Sequence, residues 1–296
     1  SCEICFMEVS SHALDLGRAD GIRYDIAVFT NLSQDHLDYH ADMEAYYQAK
    51  RRLFDMCGMA VINTADGYGK RLFDELAIPK IPFLTASNAE LNPGSVSFTL
   101  GGSRIVWRTP GAFSVDNALA AVTCGKAMGF TVEKMAEIFG GLSPVKGRME
   151  PVDYKDGVTV LIDYAHTPDA LENVLRAARG FTEGRLICVV GCGGNRDKDK
   201  RPQMGRLAST LSDLAVITSD NPRFEKPESI IGDILAGCKG GVAAITDRRE
   251  AIAHALDTAV TGDVVMLCGK GHETYQEING QKYHMDEREI VKQCIS

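Results

Sequence analysis

The sequence predicts an α/β protein whose second half is a mostly parallel, doubly wound sheet, and three observations carry that reading. Beyond Val158, short apolar runs at Val158–Asp163, Leu186–Val190, Ala215–Thr218, Val242–Ile245 and Val264–Cys268 alternate with helical patterns near Pro168–Arg179, Pro202–Leu211, Pro227–Leu235 and Arg249–Ala259. The polar motifs fall at the exits of those strands, where open α/β sheets gather ligand groups: Asp163-Tyr164-Ala165-His166, Gly191–Lys200, Asp220–Arg223 and Gly269–Glu273. Gly140–Gly147, GGLSPVKG, reads as a linker, so two domains are expected, 1–146 and 147–296.

In the first half, an apolar strand is expected at Ile4–Val9, followed by a short helix His12–Leu16 capped by Ser10 or Ser11. Glu8, Ser10, Ser11 and His12 stand at that strand's exit as ligand candidates. Ile26–Phe29 is a short buried strand leading into Asn31–Phe54, where Asp42 reads as a helix N-cap. At about 100° per residue, Met43, Tyr46, Tyr47, Leu53 and Phe54 share one helix face, and Lys50 projects from its middle. An ammonium buried there must shift its pKa, meet a carboxylate or phosphate, or be covalently changed; otherwise its stem snorkels to water. Asp35, His36, Asp38 and His40, just upstream, have the residue types of a metal or phosphate centre.

A strand Ala60–Asn63 and a helix Gly67–Leu76 come next, then a return through Ala77–Phe83. Val96–Leu100 and Ile105–Thr109, joined by Gly101-Gly102-Ser103, form a hairpin signal. Val115–Met128 is a strong helix stopped by Gly129, with Val132–Phe139 following. Asn117 falls in the first turn of that helix, where its amide caps the helix or reaches a ligand.

Composition excludes several classes. With 296 residues, 45% hydrophobic and 24% charged, the chain has room for two ordinary domains. No apolar run approaches the roughly 18 residues of a membrane span, and the N-terminus carries no basic leader, so neither membrane insertion nor export is expected. A net charge of −8 without a Lys/Arg stripe disfavours a nucleic-acid partner. The nine cysteines include Cys2-x-x-Cys5 but no second such pair, and read as reduced thiols of a cytoplasmic protein. No G-x-x-x-x-G-K-[ST] phosphate loop is present.

Four constellations carry chemistry. Gly191-Cys192-Gly193-Gly194-Asn195-Arg196-Asp197-Lys198 is a glycine-rich turn entering a helix, with bare amides and Arg196 suited to an anion, although it is no dinucleotide fingerprint. In Asp220-Asn221-Pro222-Arg223 the proline fixes a turn from which an amide and a guanidinium project together, a geometry for a planar carboxylate; a plain structural turn is the alternative. Lys270 and Glu273 add a cation and an anion, a mixture that suits a zwitterionic amino acid. Arg148 in Gly-Arg-Met-Glu sits at the expected hinge, where it reaches a phosphate on domain closure or pairs with Glu150.

With these motifs in view the chain resembles the Mur ligase family, most closely its MurE type. The likeness runs along nearly the whole sequence, through MEVSSHAL, NLSQDHLDYH, AYYQAKRRLF, GRME, DYAHTPDAL, GGNRDKDKRP, DNPR and GKGHE. The resemblance implies the latter part of a central P-loop-type ATPase domain followed by a complete Rossmann-like domain, and a chain that does not turn over alone. It also implies an ATP-driven ligase of peptidoglycan precursor synthesis, adding meso-diaminopimelate to UDP-N-acetylmuramoyl-L-Ala-D-Glu through an acyl phosphate. L-lysine, another ligase of the superfamily, or a non-catalytic remnant that binds amino acid are the competing readings. By position, Glu8 and His36 resemble magnesium ligands, and Lys50 resembles a lysine carbamylated by carbon dioxide. Ser10 and Arg18 resemble residues that hold the muramoyl-peptide, and Asn117, Arg148 and Asp163 resemble contacts to ATP. Arg196, Asp220, Asn221, Pro222, Arg223, Gly269 and Glu273 resemble the amino-acid pocket. A cytoplasmic monomer is implied. Leu16, Ser114 and Asp199 depart from the family pattern.

Overall fold

Side-chain oxygens open the helices of the first half. Ser10 Oγ accepts from the Ala13 amide at 3.1 Å to start α1 (Ser11–Asp15), and Asp42 Oδ1 accepts from Ala45 at 2.8 Å to start α2 (Met43–Asp55). Asp66 does the same for α3 (Gly67–Glu75) through the Gly69 amide, at 2.8 Å. The computed structural model describes residues 3–33, 39–83, 86, 88–155 and 157–295. It forms two compact units: residues 1–89 with 98–105 and 115–138, and residues 90–97 with 106–114 and 139–296.

In the first unit β1 (Tyr24–Phe29), β2 (Cys57–Asn63) and β3 (Lys80–Phe83) pair in parallel in that order. Phe29, Tyr47, Phe54, Ile62 and Leu72 fill the space between sheet and helices, each such side chain contributing about 1.5–3 kcal/mol by burial. The expected strand Ile4–Val9 is not formed: the segment is irregular and Ile4, Phe6 and Met7 are exposed. A buried strand needs a ladder partner and cover on both faces, and among the described residues this segment has neither.

A small sheet follows, β4 (Glu90–Asn92), β5 (Ser95–Leu100) and β6 (Ser103–Trp107), in which Gly101 and Gly102 take φ of 55° and 85° at the β5–β6 turn. Helix α4 (Ala112–Ala127) begins three residues before the expected start, and α5 (Val132–Gly141) runs into the first two residues of the expected linker.

The second unit holds the doubly wound sheet. Strands β7 (Glu150–Val152), β8 (Thr159–Asp163), β9 (Leu186–Val190), β10 (Leu214–Ile217), β11 (Val242–Ala244) and β12 (Val264–Cys268) lie in the order β11-β10-β9-β12-β8-β7. All pairs are parallel except β7 with β8. Helices α6 (Pro168–Arg179), α7 (Lys200–Leu211) and α8 (Pro227–Leu235) cover one face, while α9 (Arg248–Thr258) and α10 (Glu287–Gln293) cover the other. The chain steps outward from β9 to β11 and returns to insert β12 between β9 and β8, so strand order reverses there, the place at whose C-terminal strand ends open α/β sheets bind ligands. A hairpin of β13 (Tyr275–Ile278) and β14 (Gln281–His284) follows β12.

Two buried arginines tie the strand exits together. Arg248 and Glu287 are both fully buried and pair at 2.8 Å, and Arg248 also donates to the carbonyls of Cys268 at 2.8 Å and Ser219 at 3.4 Å. Arg201, also fully buried, grips Glu225 with both terminal nitrogens and reaches Asp233 at 2.9 Å. Arg248→Met, which strands Glu287 without its partner, is expected to lower stability by about 3–5 kcal/mol, read as a fall in the urea midpoint; Arg248→Met with Glu287→Leu should recover most of it. The Arg201 guanidinium holds the Glu225 carboxyl at about 2, below the ordinary 4.5. This stabilisation is therefore complete above about pH 4.5 and is lost as pH falls toward about 2; urea midpoints across that window should show an acid-dependent loss that Glu225→Gln lacks.

Candidate active site

The DNPR turn is built by close backbone approach. A Cβ on Gly194 would stand 2.0 Å from the Pro222 carbonyl oxygen, and one on Gly193 would stand 2.9 Å from Arg223 Nη1. The glycines after β9 thus admit the neighbouring turn, a role the anion-cradle reading did not include. Arg223 itself adopts φ 51° and is stitched to the hairpin: its amide donates to Glu277 O at 3.0 Å, and Asn279 donates to its carbonyl at 2.7 Å. Gln276 Nε2 donates to the Asp220 carbonyl at 2.7 Å. The hairpin is not among the expected elements, although Asn279-Gly280, with φ of 51° and 76°, is a strong two-residue turn signal.

Around this turn the predicted amino-acid residues gather. Asn221 Nδ2 donates to Glu273 Oε2 at 2.9 Å. Arg223 is half-buried, donates from Nη1 to Gly194 O at 2.9 Å and lies 3.3 Å through Nε from Glu277, a carboxylate missed in the sequence. Gly269 takes φ 113°, where a Cβ would meet Asp220 Oδ2 at 2.9 Å. Pro222 is buried. Arg196 is exposed on the glycine-rich loop and makes no hydrogen bond or ion pair among the described residues. Lys270 differs from its expected role as a substrate-facing cation: it is fully buried, and its ammonium donates to Asn221 Oδ1 at 3.0 Å and Glu273 Oε2 at 3.1 Å.

Asp163 is buried at 4% exposure, and its two oxygens accept from the Met149 and Ala165 amides at 2.8 Å each. Burial pushes its carboxyl above the ordinary carboxylate value, against those two bonds. With both oxygens engaged by backbone, it fixes the Gly-Arg-Met-Glu segment. Glu150 does not pair with Arg148; Arg288 of α10 takes it through Nε at 2.9 Å and through Nη2. Arg148 is left exposed, 5.9 Å from the Tyr164 ring centroid.

In the first unit Lys50 is half-buried with Nζ 5.6 Å from the Tyr46 ring centroid, and Tyr46 stacks on His40 with centroids 5.1 Å apart. His40 is buried and its Nε2 lies 2.9 Å from Ser11 Oγ. Ser10 caps α1, as one of the two expected alternatives, while Glu8 and Arg18 are exposed. Asp35, His36 and Asp38 lie outside the described residues, and among the described residues no group of three His, Cys, Asp or Glu side chains could hold a metal. Asn117 is exposed in the second turn of α4, too far along to cap it. Of the departures, Ser114 is buried with its hydroxyl donating to Pro110 O at 2.8 Å, and Leu16 and Asp199 are exposed. The eight described cysteines are free thiols, four of them buried.

Comparison with known proteins follows the same lines. A family model described as the Mur ligase middle domain matches residues 1–125, and one described as Mur ligase, glutamate ligase domain, matches residues 147–271. A Gloeobacter violaceus protein named UDP-N-acetylmuramoyl-L-alanyl-D-glutamate--2,6-diaminopimelate ligase is 47% identical over 315 residues, covering 100% of this chain and 64% of that relative. A Clostridium acetobutylicum protein of the same name, numbered 1, is 45% identical over 307 residues, covering 99% of this chain and 64% of the relative. A solved structure of a protein of that name superposes with TM-score 0.67 at 35% identity, over 97% of this chain and 63% of the other. A pseudomurein peptide ligase type C from Methanothermus fervidus shares the fold, with TM-score 0.63 at 15% identity over 96% of this chain and 66% of its own. The chain spans about 64% of the length of the curated relatives it matches. It belongs to the Mur ligase family, of which it carries the middle domain and the glutamate ligase domain.

Proposed function

We propose that this chain belongs to an ATP-dependent ligase that joins the amine of meso-diaminopimelate to the terminal carboxylate of UDP-N-acetylmuramoyl-L-Ala-D-Glu. The observation that carries the reading is the convergence of Asn221, Arg223, Gly269 and Glu273 at the sheet's reversal point. A guanidinium with a neighbouring carboxylate suits an amino acid whose far end is itself a zwitterion. L-lysine, whose far end is only an ammonium, would meet repulsion from Arg223. The identity of 47% to a relative named for diaminopimelate supports the same choice.

The proposed reaction activates the dipeptide carboxylate as an acyl phosphate, which the incoming amine attacks with loss of phosphate. In it Arg148, held by its neighbours and exposed, neutralises phosphate charge, and Asp163 acts by fixing the Arg148 segment. Asn117 contacts ATP, and Ser10 and Arg18 hold the muramoyl-peptide. Glu8, His36 and Lys50 hold magnesium, which when bound would neutralise charge on the transferring phosphoryl group. The described donors fit that ion only once Lys50 is changed. An ammonium is no ligand, whereas attack of its neutral amine on carbon dioxide forms an N–C bond, releases a proton and leaves an anionic carbamate with hard oxygens. Two such donors are few, but magnesium keeps waters and substrate phosphates in its shell. Among the described residues no helix is long and apolar enough to cross a membrane, and a monomer in the cytoplasm is the proposed state.

The gene product carrying this sequence should release phosphate from ATP when given the UDP-dipeptide and meso-diaminopimelate; a preference for L-lysine, or no turnover, would overturn the substrate or the ligase reading. Arg223→Lys should raise the KM for diaminopimelate by roughly 10-fold or more while the KM for ATP holds, because an ammonium lacks the guanidinium's fork. Lys50→Ala should cost roughly 100-fold in kcat with no recovery in bicarbonate, and should remove the carbamate signal seen by NMR with labelled carbon dioxide.

A further inference from the structure

We propose that Lys270 is a positioning residue of the amino-acid pocket, acting through Asn221 and Glu273 rather than on the substrate. The inference rests on the reading of that pocket given above.

A fully buried ammonium is costly unless its three protons find acceptors and its charge finds a counter-charge. Lys270 has both. Asn221 Oδ1 lies at 3.0 Å, Glu273 Oε2 at 3.1 Å and Asp220 Oδ1 at 3.8 Å, and the Tyr275 ring centroid lies 5.6 Å away. Two protons go to the Asn221 and Glu273 oxygens, the third is enclosed between the Asp220 carboxylate and the Tyr275 ring, and full burial leaves no path to a substrate carboxylate.

The ammonium instead decides how its neighbours face. Asn221 is an amide whose two ends differ only in donating or accepting. Lys270 and the Glu277 amide, at 2.9 Å, both require its oxygen, so Nδ2 is directed to Glu273 Oε2 at 2.9 Å. Glu273 Oε2 thereby receives two donors, whereas no hydrogen bond reaches Oε1 among the described residues. The carboxylate is held by one oxygen and offers the other. Charge follows the same division. Arg223 and Glu277 offset each other at 3.3 Å, and Lys270 stands against both Asp220 and Glu273, so the Glu273 oxygen that Lys270 and Asn221 do not engage is the one turned to the ammonium of an incoming amino acid.

Removing Lys270 would free the Asn221 amide to flip and the Glu273 carboxylate to turn, and would leave two carboxylates beside each other in a buried site. The damage should therefore appear in amino-acid use, and only while Glu273 is present to be positioned.

The test is a double-mutant cycle in the gene product carrying this sequence, with Lys270→Met, Glu273→Gln and the charge-balanced double variant. KM for ATP and for the amino acid that the wild-type protein ligates is measured for each. Using whichever amino acid that is keeps the cycle informative if diaminopimelate proves to be the wrong substrate. Lys270→Met should raise the amino-acid KM about 10-fold or more and leave the ATP KM within about twofold; in the Glu273→Gln background it should add less than about threefold. Equal effects in both backgrounds, or an effect on ATP as large as that on the amino acid, would overturn the proposal. If Lys270→Met alone does not fold, the double variant is compared with Glu273→Gln: a difference below about threefold upholds the positioning role, and a larger one overturns it.

Discussion

The strand exits of the doubly wound sheet depend on one backbone approach. Gly194 runs so close to Pro222 that an added Cβ would stand 2.0 Å from its carbonyl oxygen, and the Gly194 amide donates to Asn221 O at 2.9 Å. That contact brings the exit of β9 against the exit of β10, and only a residue without a side chain permits it. Arg201 ties the same pair of loops through Glu225 and through Gly193 O at 3.4 Å, and Arg223 ties them through Gly194 O at 2.9 Å. The anionic and cationic groups of the proposed pocket are positioned by this joint. Their own contacts come second.

The parts of the molecule that sequence exposes are those set by local rules. The five parallel strands follow from apolar runs between helices, and the caps at Ser10 and Asp42 follow from which side chains can satisfy free amides. Positions fixed by distant partners are not legible in this way. Glu150 lies two residues from Arg148, yet its partner Arg288 is 138 positions away in sequence. Lys270 reads as a substrate cation beside Glu273 until Asn221, 49 positions earlier, is seen to accept its hydrogen bond. Ile4–Val9 has a strand's composition and no ladder among the described residues, because pairing is a property of two segments. The β13–β14 hairpin is the exception, an unexpected element whose Asn279-Gly280 turn is nonetheless a local signal.

Lys50 marks the division between pattern and chemistry. Periodicity puts it on the face that buries Tyr46, Tyr47 and Phe54, and the structure keeps it half-buried with its ammonium near the Tyr46 ring. That packing is compatible with an ordinary cation–π contact as well as with a carbamate. Packing sets where the stem lies, while the carbamate proposed for the head group needs carbon dioxide as well as that position.

The loop Gly269–Glu273 joins two tasks. Lys270 and Glu273, on either side of Gly271, hold Asn221 in the proposed amino-acid pocket; between them Gly271 O accepts from Arg288 at 3.1 Å, and Arg288 holds Glu150 beside Arg148. Gly271 has φ 52°, and a Cβ there would meet Tyr164 Cβ at 2.6 Å, while a Cβ on Gly147 would meet the His272 nitrogen at 2.3 Å. Neither segment can shift without displacing the other, because backbone packed at these distances has no slack. The arginine proposed to face phosphate and the residues proposed to face the amino acid are therefore set by one five-residue loop, which explains why two of its glycines occupy left-handed backbone that side chains would not tolerate.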